Sequence, residues 1–565
     1  MSLLKRWWPQ LVALALLLGT VGVLLQSSQT VGIPRDESVY FDAGKRHADW
    51  LDTLWREGLS AFGDEALVRH FQINREHPAL PKILFGLSHR WLTEGLGVAD
   101  HLTGFRVPAF FFAGLLVALT FLFGRRERST FAGLFAALAM LVVPRQFFHY
   151  NLACFDAPAT TTWLLTVFVY RWAQEAPRSW RRGVLAGLAF GLAIAVKHNA
   201  YFLPPLLVLH WLWDQGPAWW RSGGWQARWQ GLPRSFFGFA LIGPLFLYLS
   251  WPFLWHHPFE RFGWYLGFHA HHEHYPWAYL GEVLREPPFP LLYPFVLTGL
   301  TVPLSLLLAS GAGLAALLAR RITPVVQRLR GAGAQQADEA EREAASRRRS
   351  SDLLLLLLAL FPMVLIGLPS VPIFGGVKHW MHAMPFLFLL GGEAIETLVK
   401  GALPAGAPPL RRYLRLAFVA GAVLLPGALA TAHFHPVGTQ AYNEVAGGAP
   451  GAAGLGMQRH FWSHAVRGLL PWVNEHAPPG ARIYFHEVRH ESYRWYREAG
   501  LLRSDLRFAH DVAGSNLAIY QVHAEFRDRE FEIWSEYGTT RPVAGLETAG
   551  VPLLVVYQRP GAERR

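Results

Sequence analysis

The chain of 565 residues is 52% hydrophobic and 14% aromatic, has only 16% charged side chains and carries a formal net charge of +12. With a mean hydropathy of +0.20, that balance excludes a string of soluble domains and fits a multi-pass membrane protein with some soluble mass. The basic excess sits in short loops between apolar runs, so it reads as topology-setting charge and not as a nucleic-acid surface.

The amino terminus joins a basic start (Lys5, Arg6) to an apolar run from Leu11 to Leu25. No clear small-residue cleavage site follows, and many further apolar runs do, so this reads as a retained first helix and not as a signal peptide. The expected spans are 10–26, 107–123, 130–144, 157–173, 183–197, 199–213, 236–254, 290–318, 352–369, 380–399 and 414–432. The expected fold class is therefore a polytopic α-helical membrane protein with about 11 transmembrane helices. With the N-terminus cytoplasmic, the inside loops are 124–129, 172–182, 214–235, 319–351 and 400–413, and every one is basic. The longest, 319–351, has a Gly/Ala/Glu-rich centre and reads as a solvated cytosolic linker that need not fold.

The outside then receives 27–106, 145–156, 255–289, 370–379 and everything after 433, with nearly all the histidines and the unusual acids. In the first extracytoplasmic loop, 27–106, Trp50, Leu51, Leu54, Trp55 and Leu59 fall near helical spacing, which predicts an amphipathic helix over 43–61; 83–98 has a similar pattern. After 433 the character changes. Turn signals at Gly447-Gly448 and Pro478-Pro479-Gly480 separate a helix over 460–476 from strands at 481–485 and 551–557. The expected division is a membrane domain over 1–432 and an extracytoplasmic α/β domain over 433–565. Cys154 is the one cysteine of the chain, so no intramolecular disulfide can staple that outer domain.

Acids and cations beside a bilayer are costly unless paired or used. Asp36-Glu37 follows the first span; an acid there can serve as a general base, or simply cap a helix. Glu76-His77-Pro78 precedes Lys82, with Pro78 suited to a helix start, and Lys82 can pair with a phosphate or snorkel to the interface. Asp156 precedes a helix and could cap it. Lys197-His198 lies at the outer turn of the next hairpin, and Arg106 at the mouth of the second span. Three cations and three acids thus gather on one face, a mixture suited to an anionic phosphate lipid and an acid–base centre. The loop with His256, His257, His269, His271, His272 and His274 admits a divalent metal, though its spacing matches no tight ligand motif; substrate contacts and interface histidines are the other readings. His379 and His382, near Lys378, fall on the same face. There is no Gly-rich phosphate loop and no dinucleotide fingerprint, which points to a membrane-borne donor instead of a nucleotide.

At these residues the sequence resembles the GT-C glycosyltransferases, in the family 39 branch of protein O-mannosyltransferases and the lipid A aminoarabinose transferase. The marks are Asp36-Glu37, His77-Pro78 with Leu80 and Lys82, Phe105-Arg106 with Pro108, Phe155-Asp156 with Pro158, Gly187 to Lys197, Met384-Pro385-Phe386, and Tyr442-Asn443-Glu444 with Gly447-Gly448. The resemblance fades over 319–351 and after 480. It implies transfer of a sugar from a polyprenyl-phosphate (undecaprenyl-type) donor to an extracytoplasmic lipid, glycan or protein acceptor, with inversion, at a bacterial inner membrane. It implies Asp36 as general base and Glu37 as its helper. Lys82, Arg106 and Lys197 would hold the donor phosphate, and Glu76, His77, Asp156 and His198 would shape the donor and acceptor site. By the same resemblance, Glu76 with His269 or His272 could hold a divalent metal.

Protein O-mannosyltransferases usually carry lumenal β-domains, whereas this tail reads as α/β, so a protein acceptor does not carry over directly. Two other classes fit the composition. A transporter or flippase of a lipid-linked or anionic sugar should show internal repeats and broken mid-membrane segments; no repeat is visible. A catalytically inert scaffold would not need Asp36.

Overall fold

A computed structural model of the chain describes residues 3–329, 338–404 and 406–561. Among them, six helices are long and apolar enough to cross a membrane: Trp7–Thr30, His101–Glu127, Leu304–Thr323, Glu339–Ile366, Met381–Gly401 and Pro409–Phe434. Two bent pairs, Thr130–Ala139 with Pro144–Tyr150 and Trp225–Gly231 with Arg234–Ser250, raise that to eight if each is one span. The hydropathy pattern alone suggests eleven. It differs because apolar runs are not always unbroken helices. Pro144 follows the bend in the first pair, where the chain turns by 77°. The expected span 290–318 is split by Val302-Pro303 into Tyr293–Thr301 and Leu304–Leu329. The runs at 183–197 and 199–213 become helices of 15 and 12 residues, at most ~23 Å long and too short to cross ~30 Å of hydrocarbon alone. The loop 319–351 is also corrected: helix continues to Leu329 and resumes at Glu339, while 330–337 lies outside the described residues.

The long helix His101–Glu127 gives the molecule two chemically distinct ends. It starts at Asp100, whose carboxylate caps it by accepting from the backbone N–H of Leu102 and Thr103. It finishes ~40 Å away, given 1.5 Å per residue, in a basic cluster. There Arg128 pairs with Asp352 at 2.5 Å and Glu393 at 2.8 Å, and Arg171 with Glu127 at 3.0 Å. Arg128 comes from the loop 124–129 expected to be basic, and Arg171 from the last turn of the helix Asp156–Ala173.

At the other end, four helices frame the segment 27–106: α1 (Leu3–Ser27), α2 (Arg35–Glu57), α3 (Asp64–Phe71) and α4 (Leu80–His89). Helix α2 is amphipathic, as the Trp/Leu pattern predicts. It buries Glu37, Tyr40, Phe41, Gly44, His47 and Ala48 along one stripe and leaves Trp55 exposed. Its acids Asp36 and Glu37 occupy the first turn, where the helix dipole favours them, and Gly58 ends it at positive φ. Helix α4 begins at Leu80, with Pro81 in its first turn, not at His77-Pro78 as expected. The two helices cross at Gly44 and Gly86, and a Cβ on Gly86 would lie 1.8 Å from the Gly44 carbonyl oxygen.

The tail forms a mixed sheet. A short antiparallel hairpin, β1 (Trp277–Tyr279) and β2 (Glu282–Leu284), precedes it in the chain. The sheet itself contains β3 (Arg482–Phe485), β4 (Arg507–Ala509), β5 (Leu517–Gln521), β6 (Ala544–Thr548) and β7 (Val551–Gln558), in the order β4-β3-β5-β7-β6. Strand β3 runs parallel to β4 and β5, and β7 is antiparallel to β5 and β6. The expected α/β tail is present, but its core does not stop at residue 433. Val31, Ile33, Phe41, Phe85 and Phe105 share one apolar cluster with Ile483, Trp495 and Val556. Polar bonds follow the same seam. The Ile33 amide donates to the Tyr496 hydroxyl at 2.7 Å, the Arg35 amide to the Trp462 carbonyl at 3.0 Å, and the Trp495 indole to Asp42 at 2.7 Å.

The Gly44–Gly86 crossing yields a stability prediction. Gly86→Ala should force α2 and α4 apart and lower stability by about 1–3 kcal/mol, the usual range for overpacking. A thermal-unfolding midpoint equal to that of the unaltered protein would show that the helices do not meet there.

Candidate active site

A cavity of about 1530 Å³ lies between the helical part and the tail sheet, lined by residues from nearly the whole length of the chain. Helix α2 contributes Asp36 and the largely buried Tyr40 from its first turns. The loop before α4 adds Glu76 and His77, and the start of helix Asp156–Ala173 adds Asp156. The turn after helix Trp180–Ile194 brings Lys197 and His198, the helix Pro258–Ala270 brings His269, and the outer loop 370–379 brings Lys378 and His379. His272 is also on the wall. Eight of the eleven candidate residues therefore come together: Asp36, Glu76, His77, Asp156, Lys197, His198, His269 and His272.

The other three, Glu37, Lys82 and Arg106, do not line it. Glu37 and Arg106 are both fully buried and face each other: Arg106 Nη2 is 2.7 Å from Glu37 Oε2, and its Nε donates to Oε1 at 2.8 Å. The remaining guanidinium donors reach the carbonyls of Ser28, Val31 and Gly32 at 3.0–3.1 Å. Glu37 Oε1 also accepts from the Ala153 amide at 2.7 Å. A guanidinium so enclosed has no donor left for a phosphate. Lys82, expected on the donor phosphate, instead donates to the Asn74 carbonyl at 2.6 Å, the Asn74 side chain at 3.2 Å and the His77 carbonyl at 2.9 Å. Burial pulls its pKa down to about 7, against the opposing charge of Glu76. Lys82 ties the loop that carries Glu76 and His77; it does not enter the cavity.

Two Lys–Asp pairs face the cavity in their place. Lys378 Nζ lies 3.5 Å from Asp36 Oδ2 and 3.9 Å from the centroid of the Trp462 ring. Lys197 Nζ lies 3.3 Å from Asp156 Oδ1, and Asp156 Oδ2 is 2.9 Å from His149 Nδ1. Burial alone would raise the Asp156 pKa, but Lys197 and His149 outweigh it and hold the carboxyl well below its ordinary range. Each lysine is a point cation with one carboxylate partner, able to take a phosphate oxygen in the same place. Sequence reasoning left Lys378 and His149 without a role. Their signal was position: both fall in the outer loops, 370–379 and 145–156, that also hold other unusual polar residues.

The histidines form a stacked wall. The His198 and His269 rings lie 3.9 Å apart between centroids and His77 stands 5.9 Å from His269. Burial pushes His77, His198 and His379 well below the usual imidazole range, and His269 down to about 4. The metal expectation does not fit this donor set. Glu76 Oε1 accepts from the Asn74 side-chain Nδ2 at 2.5 Å, His269 Nε2 meets the Glu76 backbone carbonyl at 2.8 Å, and His272 Nδ1 meets the Glu273 carbonyl at 2.7 Å. Among the described residues, no three His, Cys, Asp or Glu side chains converge as a metal-holding group.

Residues 90–248 match the family described as dolichyl-phosphate-mannose-protein mannosyltransferase, a stretch that includes Arg106, Asp156, Lys197 and His198. No curated protein matches the chain. Among solved structures, ArnT from Cupriavidus metallidurans bound to undecaprenyl phosphate is 13% identical, with 98% of each chain covered and a TM-score of 0.46. The archaeal oligosaccharyltransferase AglB from Archaeoglobus fulgidus, in complex with an inhibitory peptide and a dolichol-phosphate, is 12% identical. There the match covers 88% of this chain and 64% of that one, with a TM-score of 0.44.

Removing one member of the buried ion pair should be severe. Glu37→Gln leaves a buried guanidinium without its counter-charge and should cost about 3–5 kcal/mol, read as lost folded yield and a lower unfolding midpoint. A neutral result would mean that water reaches Arg106. The histidine wall gives a pH prediction. Because the folded pKa values lie below 6.5, the unfolded chain binds more protons as pH falls from 6.5 towards the folded value, about 4 for His269. Stability should therefore drop between pH 6.5 and 4, and the drop should shrink in His198→Gln/His269→Gln. An equal drop in that double variant would move the effect to other groups.

Proposed function

We propose that this protein is a multi-pass membrane glycosyltransferase that takes a sugar from a polyprenyl-phosphate donor and passes it to an extracytoplasmic acceptor. The observation that carries the reading is the convergence of Asp36–Lys378 and Asp156–Lys197 on one large cavity at the end of the helices away from the arginine cluster. Two findings support it. Residues 90–248 match a family named for a polyprenyl-phosphate sugar donor, and six helices are suited to the bilayer that such a donor occupies. The cavity end is read as the periplasmic face of a bacterial inner membrane, with the N-terminus and the arginine cluster cytosolic.

In this reading the donor phosphodiester enters beside Lys378 and Lys197. The acceptor hydroxyl attacks the anomeric carbon from the face opposite the phosphate and inverts it. Asp36 takes the hydroxyl proton, the C1–O bond to phosphate breaks, and the electron pair leaves with the polyprenyl phosphate. That group gains one negative charge, which the two lysines stabilise in a site partly closed to water. Asp156 orients Lys197, and His149 orients Asp156. Lys378 takes the role expected of Lys82 and Arg106. Because it holds Asp36 when no donor is bound, donor binding also frees the base.

Asp36→Asn should lower turnover by about 10²–10⁴-fold, the usual contribution of a general base, with the protein still folded in the membrane. Lys378→Met should lower kcat and weaken donor binding together. Both are measured on purified full-length protein with a synthetic short-chain polyprenyl-phosphate sugar. Mass spectrometry of envelope glycans, lipids and proteins with and without the enzyme identifies the sugar and the acceptor. Undiminished turnover in Asp36→Asn removes the base, and no mass difference with no donor turnover removes the transferase.

A further inference from the structure

We propose that the tail-side wall of the cavity, formed by Gln458, Trp462, Gln521, His523, Glu525 and Phe526, is the acceptor subsite and that it receives a neutral, polyhydroxylated carbohydrate. This rests on the transferase reading above. The wall is built where β5 ends. Gln521 closes the strand, His523 continues two residues on in extended conformation, and Glu525 follows in the short 3-10 turn Ala524–Phe526.

The polar groups of these six residues are amide, imidazole and carboxyl; Arg489, the tail cation that also lines the cavity, is paired with Glu491 at 3.4 Å. The polar groups of the wall are already held in place. Gln458 Nε2 donates to Glu525 Oε1 at 2.7 Å and lies 2.9 Å from His523 Nδ1, while Gln458 Oε1 accepts from the Ala278 amide at 3.0 Å. Gln521 Nε2 donates to the His486 carbonyl at 2.9 Å. The second oxygen of Glu525, Oε2, is buried and has no hydrogen-bond partner among the described residues, although the side chain is only 2% exposed and lines the cavity. A buried acceptor is expensive to leave unmade, and a ligand hydroxyl supplies the missing donor. Burial pushes the Glu525 carboxyl above its ordinary range, which suits a neutral partner over a cationic one. The other acids of this side are paired: Glu487 with Arg35 at 3.0 Å and Glu491 with Arg489 at 3.4 Å.

Rings complete the chemistry. Trp462 and Phe526 offer the apolar faces against which the C–H face of a sugar packs while its hydroxyls reach amides and carboxyls. Trp462 also fixes the place of the subsite in the reaction: its ring holds Lys378, and Lys378 lies against Asp36. A hydroxyl bound on this wall is therefore next to the base. Two other acceptor classes fit less well. A phosphorylated acceptor finds no cation among the six residues. A polypeptide docking by strand addition needs a free sheet edge, and β5 is paired on both sides, to β3 and β7.

The test is saturation-transfer NMR on the full chain in lipid nanodiscs, avoiding sugar-headed detergents that would compete. The probes are mannotriose, maltotriose and cellotriose, with a Ser/Thr-rich peptide as the contrasting ligand. At least one trisaccharide should bind. Glu525→Ala should weaken it about ten- to a hundredfold, Glu525→Gln should retain part of the binding, and polyprenyl phosphate affinity should not change in either. Unfolding midpoints confirm that the variants fold, and Glu525→Gln, which keeps the shape and the Gln458 contact, remains informative if the alanine variant does not. Failure of all three trisaccharides to bind, binding indifferent to Glu525, or capture of the peptide instead would overturn the proposal. If a trisaccharide binds as expected but no polyprenyl-phosphate sugar is turned over, the transferase reading fails and the carbohydrate site stands. Turnover without trisaccharide binding removes the carbohydrate site and leaves the transferase standing.

Discussion

The cavity-bearing half of the molecule depends on one fully buried ion pair. Glu37 and Arg106 are removed from water, and a charge so placed is tolerable only if its partner and its remaining hydrogen bonds are all supplied. The chain supplies them from three places. Arg106 comes from a membrane-crossing helix, the carbonyls of Ser28, Val31 and Gly32 from the linker after the first helix, and the Ala153 amide from the loop that ends in Asp156. Satisfying Glu37 therefore fixes the start of α2, the top of the helix His101–Glu127 and the loop before Asp156 relative to one another. Asp36 is the adjacent residue of α2, so its direction into the cavity follows from where Glu37 must point.

Much of the fold was legible in the sequence because hydropathy and charge act locally. The basic loops, the amphipathic α2 and the α/β tail all follow from patterns a few residues wide. The number of crossings did not follow. Hydropathy records how apolar a stretch is, not whether it remains one helix, and the decisive breaks lie at Pro144 and at Val302-Pro303 inside otherwise apolar runs. One apolar cluster also spans residue 433, and no local pattern reveals that Phe41 and Phe105 will pack against Trp495.

For the site, sequence reasoning named eight residues that the fold brings to one cavity, but could not tell charges that face the cavity from those satisfied elsewhere. Asp36, Asp156 and Lys197 were found because acids and a lysine stand out beside a bilayer. Arg106 and Lys82 stood out for the same reason, yet their charges are satisfied by neighbours far apart in sequence or by backbone carbonyls. Lys378 was seen but given no task, since nothing local links residue 378 to residue 36. Gln458 and Glu525 carried no signal of their own: neutral or singly acidic residues in a soluble tail are common, and only the cavity distinguishes these two.

The cavity draws Asp36 from near one end of the chain and Glu525 from near the other, across a seam that no disulfide secures. During synthesis the early helices emerge and enter the bilayer long before residues 458–526 exist. For that interval the chain holds Asp36 and Lys197 but lacks the wall proposed to seat an acceptor. A partly made chain thus occupies the membrane with its reactive groups in an unfinished chamber. Assembly of the cavity is completed only when the last strands pair and the first loop docks on them, so the chamber closes late and all at once.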